Sequence, residues 1–131
     1  MGRAHTVFVY DLLRRGMPNH FLLRDATFLG AAATVESYAM YVTAIPCVVK
    51  TAAICPILGE AYLIDEVLLV NIDRVQGHPF WFQREQAPIR LADSGEERMA
   101  WIYFYPQRNG RACLQGDYME WFAKEPTRWK I

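Results

Sequence analysis

The chain has 131 residues with 14 acidic and 14 basic side chains, so its formal net charge is zero and it carries no basic footprint for nucleic acid. Its hydrophobic content of 53% excludes a disordered polymer. The length suits a single domain, 1–131, with a hydrophobic core of its own.

In chain order, the β-branched and aromatic run 6–10 predicts a buried strand. A loop follows, from Asp11 through Arg14, Arg15, Gly16 and Pro18, and then a short helix at Phe21-Leu22-Leu23 with Asn19 as its expected N-cap. This strand-loop-helix unit sets backbone N–H groups at the strand's carboxyl end, where oxyanions and small ligands are commonly held. Weak alternation over 32–42 predicts a second strand. Residues 43–49 read as a loop leading to a short extended piece, because Pro46 is barred from a central ladder position.

The run 56–64 is a strand, with Glu60 in its middle requiring solvent or a partner. Asp65 is a good N-cap for a helix over 66–75, whose apolar positions Val67, Leu68, Ile72 and Val75 recur at helical spacing. Gly77 stops it and leaves Gln76 at its end. Residues 80–91 and 98–105 predict two strands of a hairpin turning at Asp93-Ser94-Gly95-Glu96. A loop over 106–112 precedes an amphipathic helix over about 117–124, with Tyr118, Trp121 and Phe122 on its apolar side. Strands outnumber helices, which favours an α+β fold with a curled sheet or small barrel.

Cys47, Cys55 and Cys113 form an odd set without a Cys-x-x-Cys pair, so reduced thiols are expected rather than a disulfide framework. His5, His20 and His78 are scattered, and no metal site is expected. Pro46, Lys50, Pro56 and Glu60 interrupt the longest apolar candidates, so no membrane span is expected. The first residues lack the apolar run of a signal peptide, and a cytoplasmic location is expected. The aromatic content near the C-terminus (Trp121, Phe122, Trp129) suits helix packing better than a dimer interface.

Val9, Tyr10, Leu13, Arg14, Gly16, Asn19 and His20 fit the pattern Val-Tyr-Gly-(Ser/Thr)-Leu-(Lys/Arg)-x-Gly followed by x-x-Asn-His. Phe28-Leu29-Gly30, Gly59-Glu60-Ala61-Tyr62, Ile72-Asp73-x-x-Gln76-Gly77, Phe82-Gln83-Arg84 and Gly116-Asp117-Tyr118 follow in order. On these segments the chain resembles the γ-glutamylcyclotransferase-like family (γ-glutamylamine cyclotransferase, AIG2-like). The resemblance implies a small mixed β-barrel with a few flanking helices. It also implies a reaction in which the α-amine of a small γ-glutamyl amine or γ-glutamyl amino acid attacks its own γ-carbonyl, releasing 5-oxoproline and a free amine. No cofactor or metal is implied. Backbone N–H groups of the loop at Tyr10, Asp11, Leu12 and Leu13 would bind substrate and oxyanion, and a glutamate at the helix end would move the protons.

Two departures bear on that implication. The expected catalytic glutamate falls on Gln76, whose amide accepts no proton at neutral pH. Loss of a general base costs about 10²–10⁴ in rate, so weak or absent turnover is expected. Asp11-Leu12 also replaces the expected Gly-Ser or Gly-Thr, adding a negative charge beside the place for the substrate's carboxylate. Asp11 is a candidate relocated base, against the plainer reading of a solvated or hydrogen-bonding turn residue. Glu60, Phe82 and Tyr103 are candidate pocket residues, with a structural role also open for Glu60. Arg84 reads as a strand-surface ion-pair partner, and Arg14 with Arg15 as a solvated edge. The functional readings are therefore an active cyclotransferase of unusual wiring, a non-catalytic small-ligand-binding protein on the same fold, and an enzyme disabled at Gln76.

Overall fold

The computed structural model describes residues 4–124. Eight strands form: β1 (His5–Val9), β2 (Thr27–Thr34), β3 (Ala39–Val42), β4 (Pro46–Val49), β5 (Leu58–Ile64), β6 (Gln83–Leu91), β7 (Glu97–Phe104) and β8 (Arg111–Cys113). Helices α1 (Glu66–Gln76) and α2 (Tyr118–Lys124) and a single 3-10 turn (His20–Leu23) complete the described elements. Five strands close into a barrel in the order β1-β5-β2-β6-β7, and β4-β3-β8 form a smaller sheet. The barrel is mixed: β1 meets β7 in parallel at Val7 and Trp101, while its other pairings are antiparallel. This is the α+β barrel with flanking helices that the sequence predicts.

Strand β1 is buried on both faces, which is why its sequence is an unbroken apolar run rather than an alternating one. Phe8 and Tyr10 join one hydrophobic cluster with Ala61, Ile89 and Ile102. Val7 and Val9 join the other, with Tyr62, Leu69 and Ile72. Where β5 passes β1 the backbones come very close. A Cβ at Gly59 would lie 2.2 Å from the Val9 carbonyl oxygen, so only glycine fits there.

Several boundaries differ from the sequence reading. The expected strand 32–42 is two strands, because Thr34 bends the chain. Its hydroxyl donates to the Glu36 carbonyl at 2.7 Å and accepts from the Ile57 N–H at 2.8 Å, and the chain leaves the barrel for the smaller sheet. The strand expected from residue 80 starts at Gln83, since the Phe80 and Trp81 N–H groups both donate to the Gly77 carbonyl at 2.8 Å. Part of the expected loop 106–112 pairs with β3 as β8, through Arg111 opposite Val42. Pro46 begins β4 at an outer edge of the smaller sheet, where its missing N–H costs no ladder bond. Asn19 makes no side-chain cap for the 3-10 turn; its N–H instead donates to the Leu12 carbonyl at 2.9 Å.

Helix α1 begins at Asp65, whose carboxylate accepts from the Leu68 N–H at 2.8 Å. Its buried face is Leu69, Ile72 and Gln76, whereas Val67, Val70 and Val75 are exposed. The expected stripe is thus corrected at its two ends, Leu69 and Gln76 being buried in place of Val67 and Val75, the face being chosen by docking onto the cluster around Val9 and Tyr62. The helix closes with Gly77 in the left-handed region (φ 69°), its N–H donating to the Arg74 carbonyl at 3.2 Å and the His78 N–H to the Asp73 carbonyl at 2.9 Å. This pair of bonds fixes the last turn and aims Gln76 inward. In α2, Trp121 and Phe122 pack against the barrel cluster; Trp129 lies outside the described residues. Among the described residues, no helix is long and apolar enough to cross a membrane.

Candidate functional site

Two elements meet at one end of the barrel: the loop after β1 and the inward end of α1. Asp11 and Gln76 are both buried, each 8% exposed. The Gln76 side-chain amide donates from Nε2 to Asp11 Oδ2 at 3.0 Å. The other Asp11 oxygen, Oδ1, accepts from the Leu13 backbone N–H at 3.1 Å. Asp11 is therefore a hydrogen-bonding loop residue as expected, but not a solvated one. Burial pushes its carboxyl above the ordinary aspartate value, while the Gln76 amide, the Leu13 N–H and the charge of Arg14 pull against that rise.

A cavity of about 150 Å³ opens on this pair, with Leu12, Leu13, Val75 and Phe82 among its walls. The structure brings Asp11, Leu12, Leu13, Gln76 and Phe82 together there, residues separated by up to 71 positions in the chain. Tyr10, Glu60 and Tyr103 do not line this cavity. Tyr10 is a core side chain whose hydroxyl donates to the Tyr103 carbonyl at 2.6 Å, tying the start of the loop after β1 to β7. The Tyr103 hydroxyl donates to Asp73 Oδ1 at 2.5 Å.

Glu60 anchors the loop from behind. Its Oε1 accepts from the Arg15 N–H at 3.0 Å and the Tyr62 hydroxyl at 2.9 Å, and its Oε2 from Arg14 Nε at 3.4 Å. Arg14 also donates from Nη1 to Asp117 Oδ1 at 2.8 Å. Arg14 is thus a nearly buried ion-pair centre, which corrects the expectation of a solvated edge. The Arg15 guanidinium lies over the Phe28 ring, 4.4 Å from its centroid.

A second brace holds the helix end. Arg84 Nε donates to Asp73 Oδ1 at 2.7 Å, and its guanidinium covers the Trp101 ring at 4.2 Å. Arg84 is the expected ion-pair partner, half-screened beneath an aromatic face. The sequence reading assigned no role to Asp73 or Trp81. The former sits three residues before Gln76, one helical turn back, and that spacing was the available signal. Trp81 reaches the cavity only through the turn that follows Gly77, and no local pattern announces it.

The arrangement offers a buried carboxylate with raised basicity, a neutral amide beside it, and an apolar wall. It suits proton transfer within a small ligand, because base strength rises with pKa. Among the described residues, no group of three or more His, Cys, Asp or Glu side chains is placed to hold a metal ion.

The sequence profile described as "Gamma-glutamyl cyclotransferase, AIG2-like" matches residues 7–121. A protein of Methanocaldococcus jannaschii, provisionally named a gamma-glutamylcyclotransferase, is 46% identical over 116 residues, covering 88% of this chain and 96% of its own. The gamma-glutamylaminecyclotransferase of Rattus norvegicus is 35% identical over 100 residues, covering 69% of this chain and 66% of its own. The crystal structure of an AIG2-like protein from Mus musculus superposes with a TM-score of 0.73 at 27% identity, covering 78% of this chain and 77% of that one.

Proposed function

Because this chain belongs to the gamma-glutamyl cyclotransferase, AIG2-like family, we propose that it cyclises small γ-glutamyl amines or γ-glutamyl amino acids weakly, with Asp11 in place of the missing helix-end carboxylate. The observation that carries this reading is the 3.0 Å bond between Gln76 Nε2 and Asp11 Oδ2. The carboxylate absent from position 76 stands one hydrogen bond away, on the facing loop. The family is similar in sequence to this chain over nearly its whole described length, which supports a γ-glutamyl compound as the ligand class.

In this reading the neutral α-amine of the substrate attacks its own γ-carbonyl carbon, forming the ring C–N bond. Asp11 takes the proton that the attacking nitrogen sheds and returns it to the departing nitrogen as the γ-amide C–N bond breaks. The products are 5-oxoproline and the free amine, and the proton count closes without a cofactor. Gln76 orients the Asp11 carboxylate through its 3.0 Å amide bond.

A second reading rests on the Leu13 N–H. Its bond to Asp11 Oδ1 occupies an amide of the loop expected to receive substrate, which favours a ligand-binding protein without turnover. Release of 5-oxoproline from γ-glutamyl-ε-lysine and several γ-glutamyl amino acids separates the two. Turnover that falls about 10²–10⁴-fold in Asp11→Asn supports the relocated base. Turnover unchanged in that variant sinks it. No turnover, with 5-oxoproline raising the melting temperature, leaves the binding protein.

A further inference from the structure

Ile45, Trp81 and Phe82, walls of the cavity at Asp11, also line a neighbouring groove of about 270 Å³. Tyr105 and the neutral side chains of Thr43 and Asn109 complete much of this groove, and no Asp, Glu, Lys or Arg lines it among the described residues. Phe82 and Tyr105 form a tilted aromatic pair with centroids 5.1 Å apart. Trp81 stands at the mouth with 69% of its surface exposed. An indole left that exposed beside a concave apolar surface is suited to covering a ligand.

The placement of Trp81 is built into the backbone. Its N–H donates to the Gly77 carbonyl at 2.8 Å, and a Cβ at Gly77 would lie 3.1 Å from two indole ring carbons and the Trp81 Cβ. Glycine at 77 therefore serves twice, closing α1 and leaving space for the indole against the helix end.

Resting on the cyclotransferase reading above, we propose that this groove receives the substituent of the departing amine and selects an uncharged, apolar or aromatic one over a lysine-type zwitterion. A γ-glutamyl head whose reacting atoms sit against Asp11 directs its amide substituent past the shared walls. There an aryl or alkyl group meets rings and Ile45, and gives up only water. The ammonium and carboxylate of a lysine substituent meet no counter-charge and lose hydration without replacement. Aromatic walls also attract cations through their faces, so a preference for the lysine compound is the opposing physical outcome.

The test uses the full chain with γ-glutamyl-benzylamine and γ-glutamyl-ε-lysine, measuring both 5-oxoproline release and binding by calorimetry. The benzylamine compound is expected to lead by tenfold or more in kcat/KM and in affinity. Ile45→Glu, at a partly exposed position, is expected to shrink or reverse that lead while circular dichroism stays that of the parent. Equal constants, or a lead for the lysine compound in the parent, overturn the proposal. So does failure of both to bind at millimolar concentration. If neither compound is cyclised but the benzylamine compound still binds tenfold tighter, the cyclotransferase reading falls and the groove's selectivity stands.

Discussion

Two buried carboxylates, Asp11 and Glu60, lie on either side of the same loop and are each 8% exposed, yet they are held in opposite ways. Glu60 faces a cation, Arg14, together with the Arg15 N–H and the Tyr62 hydroxyl, and Arg14 is shared with Asp117. Asp11 bonds directly only to neutral amides and opens on a cavity. A charge compensated on all sides fixes geometry. A charge left with neutral partners is costly to the fold and available for chemistry. Glu60 thus holds the loop in place, and Asp11 is what the loop presents.

The sharpest way to break that contrast is to move the Asp11 charge. Asp11→Asn keeps the shape and is expected to lower 5-oxoproline release about 10²–10⁴-fold. The double variant Asp11→Asn with Gln76→Glu places a carboxylate at the helix end while retaining a partner amide on the loop. It is expected to recover at least tenfold over Asp11→Asn alone. Gln76→Glu by itself sets two carboxylates at hydrogen-bond distance, and one of them is driven to hold its proton. Initial rates across the four proteins check this. A double variant as inactive as the single one means that the loop, not the position of the carboxylate, limits the reaction.

Glu60 gives the complementary test. Glu60→Ala leaves Arg14 nearly buried with Asp117 as its remaining carboxylate, and removes the acceptor for the Arg15 N–H. Breaking a buried pair costs about 3–5 kcal/mol, and the retained Asp117 places this case at about 3 kcal/mol. Urea denaturation measures it. A variant as stable as the parent that has lost activity outright would make Glu60 a member of the chemistry and dissolve the contrast.

A smaller effect is expected at the start of α1. Asp65→Ala removes the cap on the Leu68 N–H and is expected to cost about 1 kcal/mol in the same urea experiment. Its effect on turnover should be slight, because Gln76 is positioned from the other end of the helix by the Gly77 bonds and by Asp73.

That helix also marks what the sequence can reveal. Asp65 and Gly77 name their roles locally, and so both ends of α1 were legible from residue type and spacing. Which face turns inward was not, because Leu69 rather than Val67 is selected by distant strands. The barrel followed from strand count and from ordered family segments, whereas β8 is three residues with only one fully buried side chain and leaves no periodic trace. Asp11 and Gln76 were individually conspicuous as departures, but their hydrogen bond spans 65 residues. Arg14 misled for the same reason: the carboxylates that bury it lie 46 and 103 positions away.

The smallest expected effect is also the one with reversed sign. Burial raises the Asp11 carboxyl above its ordinary 3.8, so the folded chain holds that proton to higher pH than the unfolded chain does. Below about 3.8 both states are protonated and Asp11 contributes no pH dependence. As pH climbs from there to the folded value, the unfolded chain binds fewer protons and stability falls; above the folded value the loss is complete. Arg14 moderates the loss without removing it. Asp11→Asn lacks this titration, so its melting temperature should gain on the parent's as pH rises through that window. A residue whose replacement stabilises the fold while abolishing turnover is maintained for its chemistry. Parallel melts of the two proteins from pH 3 to pH 8 check this, and a difference that stays flat or shrinks with pH would show that Asp11 carries no uncompensated charge.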